Sequence, residues 1–213
     1  MERKLTITGK AKLSVSPDIV ILSFNIFGHE WEYEASMNTL DDKVNTLRAI
    51  LISNGIKKEE LKTKNFSVDR SETYDRKEEK SKFNGFKATH DMDLILPLDK
   101  VLLNKLLTEI SSISNDLEFD ISFGVKNTEP FGKELIKIAI TNGKETAQLI
   151  CESSGVELKE ILNIDYDIDD LYIRSQASSN RQGFMNMDRS LTPDFEPDNI
   201  TISDSINITW RID

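Results

Sequence analysis

The chain predicts an α+β fold of mostly antiparallel sheet, built from two tandem strand, strand, helix units, a long third helix and C-terminal strands. Three observations carry this. Apolar residues alternate at both ends, with Leu5, Ile7, Gly9, Ala11, Leu13 and Val15 on one parity near the start and Ile200, Ile202, Ile206, Ile208 and Trp210 on one parity near the finish. Twice, a pair of alternating runs gives way to apolar residues at helical spacing. A fifth alternating run, Leu117, Phe119, Ile121, Phe123 and Val125, then leads into the longest helical pattern in the chain.

Taken in order, the first strand breaks at Ser16, Pro17 and Asp18 before the apolar run IVILSFNIF forms the second. The two ends of the chain read as opposite edges of one sheet. Met37, Leu40, Val44, Leu47 and Leu51 mark the first helix, which Asn54 and Gly55 close. Phe66 and Val68 open a third strand, and Phe86, Ala88, His90, Met92, Leu94 and Leu96 alternate through a fourth. Between them, RSETYDRKEEKSK has the alternating charges of a solvated hairpin tip.

Asp99 is placed to cap the second helix, whose apolar stripe is Leu102, Leu103, Leu106, Leu107 and Ile110. The third helix is expected to turn Phe131, Leu135, Ile138, Ala139, Leu149 and Ile150 inward, with Gly143 as a local weakness and Gly155 as its left-handed stop. A sixth strand, ILNIDYDI, precedes an excursion over residues 169–199 that holds no sustained period. One domain over residues 1–213 is expected, with a division into two lobes left open.

Composition narrows the function classes. The 37 acidic residues outweigh 27 basic ones, for a formal charge of −10, so a phosphate backbone is a poor partner and nucleic acid is not expected. One cysteine, Cys151, allows no intramolecular disulfide and no thiolate cage. No apolar stretch approaches the roughly 20 residues of a membrane span. The first strand starts close to Met1, so the expected location is cytoplasmic as the chain stands, or periplasmic or envelope if a leader has been removed.

No motif points to catalysis, a metal or a cofactor, and none is expected. His90 shares its parity with apolar neighbours and reads as a half-buried, satisfied histidine, whereas His29 ends the second strand, where a base is conceivable. Cys151 lies beside Leu149 and Ile150 and reads as a small apolar side chain. The run Asp165, Asp167, Asp169, Asp170 resembles a calcium loop but has Asp170 where glycine is needed and Gln176 where glutamate is needed. Sequons at Asn65, Asn199 and Asn207 fall in or beside strands.

Candidate partner contacts are Phe184, Met185 and Met187, an apolar cluster in the polar excursion, and Trp31 and Tyr33 after the second strand. For Trp31 and Tyr33, core packing is the favoured reading.

The joints of this strand and helix order resemble the SIMPL domain family (DUF541). The resemblance rests on ITGKAKLSVSPDIV, the Gly55, Ile56 and LKTKNFSV step, GFKA at Gly85 to Ala88, SSGVELKEI at the end of the third helix, and TPDFEP running into the last strand. It implies a bacterial, α+β protein without established catalytic residues. The family includes envelope proteins similar to periplasmic immunogenic protein, which builds ring-like or channel-like oligomers, and an animal branch described as binding a Pelle-like kinase. The expected function is therefore a non-enzymatic homo-oligomeric assembly or protein-interaction module, envelope- or stress-related, whose partner is itself or another protein. Rival readings are a cytoplasmic signalling adaptor, and a hydrolase or redox enzyme using Cys151 or a histidine.

Overall fold

The computed structural model describes residues 3–75, 79–113, 117–166, 173–175 and 196–213. Phe184, Met185, Met187 and most of the excursion lie outside them. The elements are β1 (Lys4–Val15), β2 (Ile19–Glu30), α1 (Tyr33–Ser53), a 3₁₀ turn (Lys58–Glu60), β3 (Leu61–Asp75), β4 (Lys80–Pro97), α2 (Lys100–Ile113), β5 (Glu118–Gly124), α3 (Glu129–Ser154), β6 (Leu158–Asp165) and β7 (Ile200–Ile212). This is the α+β order that the alternation predicts. The described residues fall into two compact units, one of β1, α3, β6 and β7, the other of β2, α1, β3, β4, α2 and most of β5.

In the first unit the sheet order is β1-β7-β6. The chain ends are not opposite edges: β1 and β7 are neighbours, antiparallel without interruption from Lys4↔Arg211 to Val15↔Ile200. Alternation tells which face of a strand is buried but not which strand lies beside it. The inward face holds Ala11, Val15, Ile200, Ile202, Ile206, Ile208 and Trp210, while the outward face is tied by polar pairs such as Thr8 Oγ1 donating to Asn207 Oδ1 at 2.7 Å.

α3 lies over β1 and β7 with little contact to β6. Its buried stripe is Leu135, Ala139, Gly143, Ala147 and Cys151. Leu149, at 64% exposure, and Ile150 face outward, against the sequence expectation. Small side chains win the inward face because the helix backbone comes so close to β1: a Cβ on Gly9 would stand 2.1 Å from the Ala139 carbonyl oxygen and 3.1 Å from the Gly143 Cα. Gly143 is thus a contact surface rather than only a weak point in the helix. Gly155 ends α3 in the left-handed region as expected, with φ of 68°.

In the second unit the sheet order is β3-β4-β2-β5. Leu40, Val44, Leu47 and Leu51 of α1 and Leu103, Leu106 and Ile110 of α2 form one core with Leu22, Phe24, Met92 and Leu94. Burial of such side chains stabilises by about 1.5–3 kcal/mol each. Asp99 caps α2 as predicted, its Oδ1 accepting the amides of Val101 (2.9 Å) and Leu102 (3.1 Å), an arrangement worth about 1 kcal/mol.

β3 begins at Leu61, earlier than the Phe66 expected, and its ladder with β4 continues to Asp75↔Lys80. Most of the charged segment read as a hairpin tip is therefore paired strand. Long polar strands of this kind escape a search for apolar alternation, because an edge strand needs no buried face to satisfy its backbone.

Candidate interaction site

Four aromatic rings meet at the surface of the second unit where β2 runs into α1. Trp31 sits in the connecting turn, Tyr33 opens α1, and Phe83 and Phe86 come from β4. The rings touch in an edge-on series: Trp31 to Phe83 at 5.9 Å, Phe83 to Phe86 at 5.3 Å and Phe86 to Tyr33 at 5.9 Å between centroids. Such tilted pairs suit the ring quadrupoles. Trp31 is 67% exposed and Tyr33 51%, so neither is packed in the core, the reading their sequence context favours. On the other side the Arg70 guanidinium lies 5.1 Å from the Phe83 centroid.

Polar contacts fix the backbone beneath the rings. The buried Ser36 Oγ accepts the Glu30 N–H (3.2 Å) and donates to the Phe86 carbonyl (2.8 Å), tying the turn to β4. Gly85, at φ of 96°, lets the Glu30 carbonyl approach so closely that a Cβ would stand 2.3 Å from its oxygen. His29, considered as a base, instead donates from Nε2 to the Asn84 carbonyl at 2.7 Å. The backbone beneath the array is thus fixed within the unit, and a fixed surface has less ordering cost to meet in any binding. Phe83, Phe86 and Arg70 are absent from the candidates read in the sequence. Their signal is faint, since only the ladder brings FNGF of β4 against Glu30 and Trp31.

A second surface belongs to the first unit. β6 is an edge strand whose ladder with β7 shifts register on both sides of Ile161. Ile161 opposes Trp210 and Ile164 opposes Ile208, so both stand on the face that α3 covers over β7, yet they remain 48% and 49% exposed. Leu162 is also exposed. At the start of β6, Lys159 pairs with Glu157 (2.7 Å) and Asp213 (3.7 Å), and the hydrogen bond to Glu157 holds its ammonium above the usual lysine range.

The residues weighed for chemistry are otherwise engaged. Cys151 is buried. The His90 Nε2 lies 2.7 Å from Thr63 Oγ1, and burial, followed by the Arg48 guanidinium, lowers its pKa. Asp165 is exposed in β6, while Asp167, Asp169 and Asp170 lie outside the described residues. Among the described residues no group of three His, Cys, Asp or Glu side chains is arranged to hold a metal ion. A broad cleft of about 650 Å³ in the first unit is lined by Lys10, Lys12, Ile138, Asn142 and Asp204. The Asp204 carboxylate there accepts from Tyr166 Oη (2.9 Å), just past β6, and from the Ser205 amide (2.7 Å) of its own strand, and Asn142 of α3 donates to the Lys10 carbonyl of β1, so these polar groups are engaged within the unit.

No described helix is long and apolar enough to cross a membrane. Among curated proteins none matches the chain. The family model for SIMPL, described as a protein of unknown function (DUF541), matches residues 5–210. With that match spanning β1 to β7, the chain belongs to the SIMPL family.

Proposed function

We propose that this chain is a non-enzymatic homo-oligomeric assembly module whose copies meet along β6. The observation that carries the reading is a strand that stands at the sheet edge among the described residues, with Ile161, Leu162 and Ile164 half-exposed upon it. An unpaired edge offers a row of backbone donors and acceptors, and apolar side chains on it reward covering. The other edges are guarded. Lys62 and Lys64 charge β3, Asn142 occupies the Lys10 carbonyl of β1, and the Phe123 carbonyl of β5 accepts the Ser175 amide at 2.7 Å.

A second copy is the occupant that best fits the edge. Antiparallel pairing of two β6 strands about a two-fold axis through Leu162 sets Lys159 of each copy opposite Asp165 of the other, with the two Leu162 side chains side by side. A one-residue shift in one direction opposes Glu160 to Asp165, two like charges, and in the other puts Leu158 opposite Asp165, so either shift loses the Lys159 to Asp165 pairs. Light scattering on the full chain at micromolar concentration tests this. A mass above the 24.3 kDa monomer is expected, falling to the monomer in Leu162→Lys with circular dichroism unchanged. A monomeric parent refutes assembly, and the reading as an adaptor for a different protein, which the aromatic array favours, then takes its place.

A further inference from the structure

We infer that the aromatic array of the second unit is a docking site for a cationic, arginine-bearing segment of another protein, whether or not the chain assembles through β6. Carboxylates alternate with the two most exposed rings: Glu30, Trp31, Glu32, Tyr33 and Glu34 follow one another, and all five are exposed. Ring faces carry negative quadrupole potential, and the three exposed carboxylates that flank them in sequence add negative charge, so the surface is complementary to a cation that is also flat and weakly hydrated. Guanidinium meets that description better than ammonium, because it stacks on a ring while its N–H fork reaches a carboxylate on either side.

The array already holds one such group. Arg70 lies over Phe83 at 5.1 Å, which shows that these rings accept a guanidinium at stacking distance. Close by, Lys43 and Lys87 lie 5.2 and 4.5 Å from the Phe27 centroid, the same chemistry on a neighbouring ring. Trp31 is the strongest cation acceptor of the set and the most exposed. Of the three carboxylates, Glu30 accepts from Thr39 Oγ1 of α1 at 3.3 Å. Because Ser36 and Gly85 fix the turn, an incoming side chain meets a backbone that is already placed. The formal charge of −10 adds steering toward a basic partner.

The test uses the full chain and four short peptides that alternate glycine with Arg, Lys, Pro or Asp. Trp31 reports binding by fluorescence, since the other tryptophan, Trp210, is buried. Calorimetry follows the variants. The Gly/Arg peptide is expected to bind more tightly than Gly/Lys, and Gly/Pro and Gly/Asp to show no saturable signal. Trp31→Ala with Tyr33→Ala should weaken Gly/Arg binding about tenfold, as two exposed cation–π contacts require. Neutralising the rim in Glu30→Gln, Glu32→Gln, Glu34→Gln should weaken it to a similar extent and flatten its salt dependence. The exposed α3 set Glu129→Gln, Glu134→Gln, Glu145→Gln removes the same charge elsewhere and should leave binding unchanged. Equal loss in the α3 set overturns the site in favour of diffuse charge. Preferential Gly/Pro binding, undiminished binding in the ring or rim variants, or no Gly/Arg binding at all overturns it as well. A fall in native mass in the ring variant assigns the rings to a second copy and also refutes the proposal.

Discussion

At Gly9 one missing carbon decides how a helix meets a sheet. The Ala139 carbonyl occupies the space a Cβ would need, and backbone cannot rotate away as a flexible side chain can. Gly9→Ala is therefore expected to destabilise the first unit by about 3 kcal/mol, the upper range for overpacking, as read by chemical denaturation. Gly143→Ala should stay within about 1 kcal/mol of the parent, because its Cβ meets Gly9 Cα at 3.3 Å and Ile208 Cδ1 at 3.5 Å while alanine improves helix propensity. Equal losses in the two variants would contradict the close approach. His90 supplies a second residue-level test. Burial and then Arg48 lower its pKa below the ordinary 6.5, with Asp41 and Asp91 opposing in part. A histidine depressed in the folded state binds protons preferentially when unfolded, so its contribution is complete above about 6.5 and is lost as pH falls from there through the folded value. The ring's titration by NMR should have its midpoint below 6.5, and His90→Gln should flatten the acid-side loss of stability. A midpoint at or above that value would show that burial does not govern this ring.

Among the elements, β7 carries the most consequence per residue. It is the middle strand of its sheet, pairing β1 on one side and β6 on the other, and it supplies Ile202, Ile206, Ile208 and Trp210 to the core under α3. Removing residues 200–213 leaves β1 and β6 with no strand between them and the inner face of α3 uncovered. Loss of cooperative unfolding in this unit is expected, with hydrogen exchange protection vanishing from the α3 amides. A truncated chain whose α3 stays protected would refute the central place of β7. The other elements differ in how legible they are. Asp99 and the stripe from Leu102 to Ile110 announce α2 because capping and helical spacing act within a few residues. The stripe of α3 misleads, since its large apolar residues Leu149 and Ile150 are outside and the small ones are inside. Hydrophobicity ranks side chains by size, whereas a close approach to β1 selects for the lack of it.

For the molecule as a whole, one polypeptide carries two surfaces of different chemistry. Among the described residues β6 offers apolar side chains and a sheet edge, proposed above for a second copy, while the array around Trp31 offers rings and neighbouring carboxylates, proposed for a cation. Their responses to salt separate them. If both proposals hold, added salt strengthens self-association, by screening repulsion between copies that each carry a formal charge of −10, and weakens binding of a basic peptide.

Strand and helix order, the faces that β1, β4 and β7 bury, the Asp99 cap and the Gly155 stop all follow from residues within a turn or two of one another, which is why they are readable along the chain. Parity does the same for His90, which is half-buried as expected, with Thr63 supplying its bond. Neighbours distant in sequence are another matter. That β1 lies beside β7 rather than across a sheet from it, that Gly9 faces Gly143, and that Phe83 and Phe86 join Trp31 and Tyr33 at the surface each require contacts between separated segments. Local periodicity carries no term for such pairings. They are selected by the shared burial of whole faces, and that selection exists only once the chain has folded.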